Sequence, residues 1–227
     1  MTLLEFVRGP VFAVSLAVFL LGTAWRLYGI FSWPSKPDYS EPRRTDTAAG
    51  ACRAILRHMW PRREFQRSGG AQIANAYAYH IGLFLVVFTF APHIGFVRRL
   101  TGIAWPALPD AVTYLATAVA IVGLLIALMS RLTNGVQRLL SNFDDYFSWV
   151  VTMLPLVTGM AVLERPYVPA PVIAPALPTN VAFLAIHLLS LELLFVWFPF
   201  GKLMHAVLAF VSRARTGADF TRKGVAL

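Results

Sequence analysis

The fold of this chain is decided by residues 180–211, which read NVAFLAIHLLSLELLFVWFPFGKLMHAVLAFV. The stretch is longer than the roughly 20 apolar residues that a helix needs to cross a bilayer. It carries His187 and His205, and an imidazole in hydrocarbon is costly unless it has a partner. Eighteen residues separate the two. On an unbroken helix that is about five turns and about 27 Å, so we expect both side chains on one face. At that distance they cannot share a metal, but they suit two centres at different depths.

The composition of the whole chain points to the bilayer. Of its 227 residues, 57% are hydrophobic and 14% are charged, with a mean hydropathy of +0.62. A soluble domain of this length needs no such apolar excess. Besides 180–211, four stretches are long and apolar enough to span: 10–31, 76–97, 110–130 and 146–163. We therefore predict an all-α membrane protein, a single domain that forms a bundle of five transmembrane helices.

The basic residues indicate the orientation of this bundle. The net charge is +9. Fifteen Lys and Arg residues lie in loop 32–75, in the link between spans three and four, and at the C-terminal end, whereas four lie on the opposite side. The positive-inside rule then predicts an outer N-terminus and a cytoplasmic C-terminus, in a multi-pass protein of the cell inner membrane. The charge is explained by topology, so no nucleic-acid partner is indicated.

Two connecting segments and one cysteine complete the organisation. The basic loop 32–75 holds one expected amphipathic helix, Thr47–Met59. The outer link 166–178 is proline-rich and is expected to form an extended strap. Cys52 is the single cysteine. It therefore excludes an intrachain disulfide and an iron–sulfur cluster held by cysteines of this chain alone.

The topology predicts which histidines meet. Span two runs outward and span five inward, so His80 and His205 share the cytoplasmic level, while His93 and His187 share the outer level. Each level then receives one imidazole from each of two helices. Zinc needs three or four grouped protein ligands, whereas haem iron in a b-type site needs only two axial imidazoles. The four histidines thus predict two b-type haems, each with bis-histidine ligation. On an ideal helix His93 lies about 220° round from His80, so we expect a kink at Pro92 or a π-bulge to re-aim it.

The motifs around these histidines resemble a known family. They are FPFGKLMH at 198–205 with His187 upstream, YHIGL at 79–83, AVFLLG at 17–22 followed by Arg26, and Thr158-Gly159. The chain resembles the gamma subunit of respiratory nitrate reductase and the cytochrome b subunits of heterodisulfide-reductase-like and dissimilatory sulfur-metabolism complexes. This resemblance implies two b-type haems, exchange with membrane quinone and a cytoplasmic iron–sulfur partner. Phe90 stands where the nitrate reductase subunit has its second histidine in span two, so the outer ligand shifts to His93.

Other polar and small residues have two readings each. Gly82 and Gly159 either let a porphyrin lie against the backbone or let helices pack closely. Arg98 and Arg131 either pair with haem propionates or mark the ends of spans. Glu192 either carries protons or is a buried, neutral carboxylic acid.

The prediction for function is a membrane dihaem cytochrome b subunit of a respiratory oxidoreductase. It transfers electrons between the quinone pool and cytoplasmic iron–sulfur protein, and it has no catalytic residues of its own because it lacks the terminal catalytic centre. Two alternatives stay open: a haem-free proton relay or transporter that uses the same histidines, and an assembly scaffold.

Overall fold

The structure is a computed structural model that describes residues 2–33, 38–61, 63–164 and 178–225. Over these ranges the chain is helical, without strands. The proline-rich link and its predicted strap lie outside the described residues. In chain order the helices are α1 (Leu3–Phe6), α2 (Phe12–Ser32), α3 (Thr47–Arg57), α4 (Arg63–Thr89), α5 (Ala91–Thr101), α6 (Asp110–Thr133), α7 (Gly135–Leu140), α8 (Phe143–Glu164), α9 (Pro178–Trp197) and α10 (His205–Arg222).

Several of these helices are long and apolar enough to cross a membrane. Four segments meet that condition: Leu3–Ser32, Gly69–Thr89, Asp110–Thr133 and Phe143–Leu163. The first runs through a π-helical turn at Val7–Val11 that joins α1 to α2. A fifth span results if α9 and α10 are taken together. The prediction of an all-helical chain is therefore confirmed for the described residues, and the five predicted spans correspond to four helices of sufficient length, or five with the bent pair.

The expected unbroken helix over 180–211 is wrong. Helix α9 ends at Trp197, and the chain bends by 78° before α10. Pro199 has no amide hydrogen to continue the helix. Gly201 is extended, with φ −95° and ψ −177°, and its missing side chain leaves room for the Trp197 indole. His187 and His205 therefore belong to two differently directed helices, and the argument that they share one face fails.

The chain divides into two compact units, and the first comprises Met1–Val7 and Gly69–Leu191. Its main core lies where α4, α6 and α8 pack together. Trp149 of α8 donates from Nε1 to the carbonyl oxygen of Leu124 in α6 at 2.7 Å. The core is formed by Ala120, Leu124, Met153 and Leu156, with Tyr79, Leu83, Val86, Ile121 and Trp149 packed against it.

The second unit comprises Arg8–Ser68 and Glu192–Leu227. Along α2, Phe19 contacts Phe195, with ring centres 5.0 Å apart, and also Phe198. Three residues further along α2, a side chain at Gly22 would overlap Pro199, at 2.7 Å from its ring. Later residues of α2 thus contact later residues of the segment that begins at Phe195. Helix α2 therefore runs in the same direction as the end of α9.

A close helix pair forms the other part of this unit. Helix α3 packs against α10 through small residues, because a side chain at Gly50 would collide with Thr221 and one at Gly217 with Ala54. Small residues on facing helices let the two backbones approach closely. The predicted amphipathic helix of the basic loop is confirmed as α3, and it ends two residues earlier than expected.

Candidate functional site

The four histidines His80, His93, His187 and His205 each hold their Nδ1 atom against an oxygen of the protein. The acceptors are the carbonyl oxygens of Ala76 for His80 (2.7 Å), Val86 for His93 (2.9 Å) and Lys202 for His205 (2.8 Å), and the Thr158 hydroxyl for His187 (3.2 Å). A carbonyl oxygen cannot donate, so the ring nitrogen facing it must carry the hydrogen. Three of the four imidazoles are thereby fixed as the Nδ1–H tautomer. Their Nε2 lone pair is the one suited to a metal, as in most metal-binding histidines.

The hydrogen bond of His93 depends on a break in the second span. Helix α4 ends at Thr89, Phe90 is extended (φ −76°, ψ 125°), and α5 starts at Ala91 with Pro92 in its first turn. A helix end leaves its last four carbonyl groups without helical partners. Donors beyond the break take up three of them: His93 Nδ1 bonds to Val86, Trp105 Nε1 to Phe88, and the Leu108 amide to Thr89. The predicted re-aiming of His93 therefore comes from a complete break just before Pro92.

This break brings His93 to His187. Their ring centres lie 6.3 Å apart and their planes are 9° from parallel. Two metal–Nε2 bonds of about 2.0 Å each, plus about 1.15 Å from each nitrogen to its ring centre, place two axial imidazoles about 6.3 Å apart. The distance between the two ring centres thus equals that of two imidazoles bound to one metal, and the two planes are nearly parallel. Both side chains are half-buried in the first unit.

The other face of His187 lies against α8. A Cβ added at Gly159 would lie 3.2 Å from His187 Cε1, closer than an ordinary contact. Next to it, Thr158 Oγ1 lies 3.2 Å from His187 Nδ1 and 3.0 Å from the hydroxyl of Ser190. Ser190 donates to the His187 carbonyl at 2.6 Å. The Thr158-Gly159 pair thus supplies a hydrogen-bond partner and the space for the imidazole.

His80 and His205 fall in different units. His80 is exposed on α4 beside the Tyr79 ring, with ring centres 4.4 Å apart. His205 is exposed at the first position of α10, immediately after the bend. Each is oriented by its own carbonyl partner, and their pairing stays a prediction. Among the described residues no group of three or more His, Cys, Asp or Glu side chains could hold a metal, so any metal here would rest on histidine pairs.

Three further predicted residues have clear structural surroundings. A Cβ at Gly82 would lie 2.7 Å from the Ala116 carbonyl oxygen, so Gly82 lets α4 pack closely on α6. Arg131 forms an ion pair with Asp145 at 3.0 Å and donates to Ser141 at 2.8 Å. Arg98 is exposed in the last turn of α5. Packing and ion pairing thus account for Gly82 and Arg131, and the roles of all three toward a cofactor stay predictions.

The sequence predicted no hydrogen-bonding role for Thr158, which appeared only as part of the Thr158-Gly159 motif, and none for Ser190. The signal was weak but present: Ser190 follows His187 by three residues, so it shares a helix face with it. Glu192, by contrast, is confirmed as buried, with 3% of its surface exposed. Neither of its carboxyl oxygens has a hydrogen-bond partner in the part of the chain that the structure describes.

Comparison with known proteins identifies a relative of this chain whose description states no activity. A protein of Nitratidesulfovibrio vulgaris, described as "Protein", is 29% identical over 223 residues, which cover 96% of this chain and 93% of that protein. The similarity therefore extends over nearly the whole chain. No known family model matches the chain. No solved structure matches it either.

Proposed function

We propose that this chain is the membrane dihaem cytochrome b subunit of a respiratory oxidoreductase. It transfers electrons between the quinone pool and a cytoplasmic iron–sulfur subunit. The observation that supports the proposal most is the pair of parallel imidazoles of His93 and His187, 6.3 Å apart, inside a membrane protein. That spacing fits two axial ligands on one metal, and a porphyrin supplies the remaining equatorial nitrogens, so no further protein ligands are needed.

Each residue of the site has a defined task in this proposal. His93 and His187 hold the haem of the outer level, and His80 and His205 hold the haem of the cytoplasmic level. The carbonyl groups of Val86, Ala76 and Lys202 orient three of these imidazoles. Haem held by these histidine pairs would supply a one-electron carrier rather than a site for oxygen chemistry. The terminal reaction of the complex then belongs to another subunit.

The proposed orientation places the N-terminus outside and the C-terminus in the cytoplasm of a cell with an inner membrane. Fifteen basic residues against four support it through the positive-inside rule. The parallel course of α2 and the end of α9 is consistent with it, because spans one and five both run inward in this arrangement.

The basic second unit is the proposed docking face for the iron–sulfur subunit. Three of its carboxylates are already engaged in ion pairs, namely Asp38 with Arg222, Asp46 with Arg44, and Asp219 with Arg215. Among the described residues Arg43, Arg57, Arg213 and Lys223 have no such carboxylate. This excess of positive charge favours an acidic partner surface, whose encounter it would accelerate.

Absorption spectroscopy of the purified full-length protein tests the proposal. We expect a b-type α-band after reduction with dithionite and two haems per chain. His187→Ala and His205→Ala should each remove one of two haem potentials in a redox titration. His58→Ala is the matched control, since His58 caps α3 outside the spans and should leave both potentials unchanged. Wild-type protein without an α-band would refute the cytochrome assignment and favour the proton relay or the scaffold.

A further inference from the structure

His187 differs from the other three histidines in the oxygen that accepts its Nδ1 hydrogen bond. His80, His93 and His205 bond to backbone carbonyls at 2.7–2.9 Å. His187 bonds to the side-chain hydroxyl of Thr158 at 3.2 Å. A backbone carbonyl persists through any substitution, whereas a hydroxyl can be removed by changing one side chain. The Pro155 carbonyl of the same helix also accepts from the His187 imidazole. The Thr158 hydroxyl is therefore the one of these two partners that a single substitution can remove.

The hydrogens of this cluster can be assigned from its distances. A threonine hydroxyl has one hydrogen. The nearest acceptor for it is the Leu154 carbonyl at 2.7 Å, which can only accept. The single hydrogen of Ser190 is likewise directed to the His187 carbonyl at 2.6 Å. The Thr158 oxygen is then left to accept from His187, so His187 also carries its hydrogen on Nδ1 and presents the Nε2 lone pair.

We propose that Thr158 is a positioning residue that sets the orientation and basicity of His187, and thereby the reduction potential of the haem that His93 and His187 hold. This inference rests on the proposed function. A hydrogen-bond acceptor on the distal nitrogen raises the basicity of a metal-bound imidazole and fixes its rotation. A more basic imidazole favours the ferric ion, so the Thr158 bond lowers the potential of that haem. Second-sphere hydrogen bonding is one of the ways in which proteins tune haem.

The packing around residue 158 holds its hydroxyl in place beside the His187 imidazole. Thr158 is held by its bond to Leu154 within α8, and Ser190 is 6% exposed on α9. Gly159 brings the α8 backbone against the His187 ring. If the hydroxyl is lost, the Pro155 carbonyl is the acceptor that remains beside the imidazole. The ring would then lose one of its two hydrogen-bond partners.

Redox titration of purified full-length variants tests this inference. Thr158→Val keeps the size of the side chain and removes the acceptor, and Thr158→Ala removes it with less bulk. We expect both variants to change the equilibrium constant for reduction of one haem at least threefold. At 59 mV per decade for one electron, this raises the reduction potential of that haem by about 28 mV. The potential of the other haem should stay unchanged. Thr158→Ser restores the hydroxyl and should restore the potential, which a purely structural role of the methyl group would not predict.

The outcomes are distinguishable. Selective loss of one haem in the Val and Ala variants, with retention in the Ser variant, also supports the positioning role. Two bound haems with both potentials unchanged in Thr158→Val and Thr158→Ala would overturn this inference alone. Absence of haem from the wild-type protein would overturn the proposed function, and the inference with it.

Discussion

The imidazole planes of His93 and His187 lie 9° from parallel, with their centres 6.3 Å apart. The two residues come from different helices, α5 and α9, and from positions 94 residues apart. Each ring is oriented by its own hydrogen bond, to Val86 in one case and to Thr158 in the other. The relationship is therefore built by tertiary structure from two independently held side chains.

The near-parallel planes predict the magnetic spectrum of the outer haem. Axial imidazoles with parallel planes split the iron orbitals strongly and produce a rhombic low-spin signal, whereas crossed planes produce a single signal at high g. We expect a rhombic signal from the oxidised protein, measured by electron paramagnetic resonance, and its loss in His93→Ala. If only signals of the crossed type are present, the orientation described here is not the one that binds haem.

Gly159 should tolerate no larger side chain. A Cβ there would lie 3.2 Å from His187 Cε1 and 3.5 Å from Nδ1. Gly159→Ala should displace the ring by a few tenths of an ångström and shift one haem potential, and Gly159→Val should remove that haem, as followed by the haem-to-protein ratio. Gly70→Ala is the control, because no atom lies within 4 Å of the added group. Full haem content in Gly159→Val would contradict the placement of His187.

The α3–α10 pair should be sensitive to a single methyl group. A Cβ at Gly217 would collide with Ala54 and lie 2.5 Å from the Gly50 carbonyl oxygen. Overpacking of this kind costs about 1–3 kcal/mol. We expect Gly217→Ala to lower the thermal unfolding midpoint and to expose α3 to protease. Gly29→Ala, which meets no atom within 4 Å, should be neutral or slightly stabilising. Equal protease resistance of the two variants would argue against the packed pair.

Protonation of Asp38 at acidic pH should lower the stability of the second unit. Hydrogen bonds from the Ser40 hydroxyl and amide, together with the Arg222 guanidinium, hold the pKa of this carboxyl below its ordinary value. A lowered pKa in the folded state stabilises the protein above the ordinary value of about 3.9, and this stabilisation is lost as the pH falls through the folded value. Asp38→Asn should therefore reduce the loss of thermal stability between neutral and strongly acidic pH.

The control for that experiment is Glu41→Gln, which changes an exposed carboxyl of the same segment for which the described residues provide no ion pair. Because the Asp38 side chain is exposed, with 39% of its surface accessible, the effect should be small and should shrink further at high salt. If both variants lose the same thermal stability between neutral and acidic pH, Asp38 does not contribute to this pH dependence.

Glu192 should be a site where a nonpolar side chain increases stability. The residue is 3% exposed, and both carboxyl oxygens lack partners among the described residues. A buried polar group without a partner costs about 1–3 kcal/mol. Glu192→Leu should accordingly raise the thermal unfolding midpoint in detergent, with Glu192→Gln close to wild type. A lower midpoint for the leucine variant would reveal a stabilising interaction of the carboxyl group.

The sequence allowed accurate prediction of the features that depend on local composition. The spans at 110–130 and 146–163 correspond closely to α6 and α8, and Thr47–Met59 corresponds to α3. Apolar runs of this length and the pattern of an amphipathic helix are properties of the chain itself. Helix breaks were harder to predict. Pro155 lies inside a helix that continues through it, whereas the sequence around Pro199 ends one.

By itself, then, the sequence determined that the chain is helical and that it has several segments long and apolar enough to span a membrane. The topology read from the sequence paired His93 with His187, but only the tertiary structure decided how the His93 ring is turned toward His187 and that His205 leaves the axis of α9. The physical reason lies in the carbonyl groups that a helix break releases. A break persists only where other donors reach them, and here those donors are His93 itself, Trp105 and Leu108. Helical periodicity cannot report such contacts, because they join residues that only the folded chain brings together.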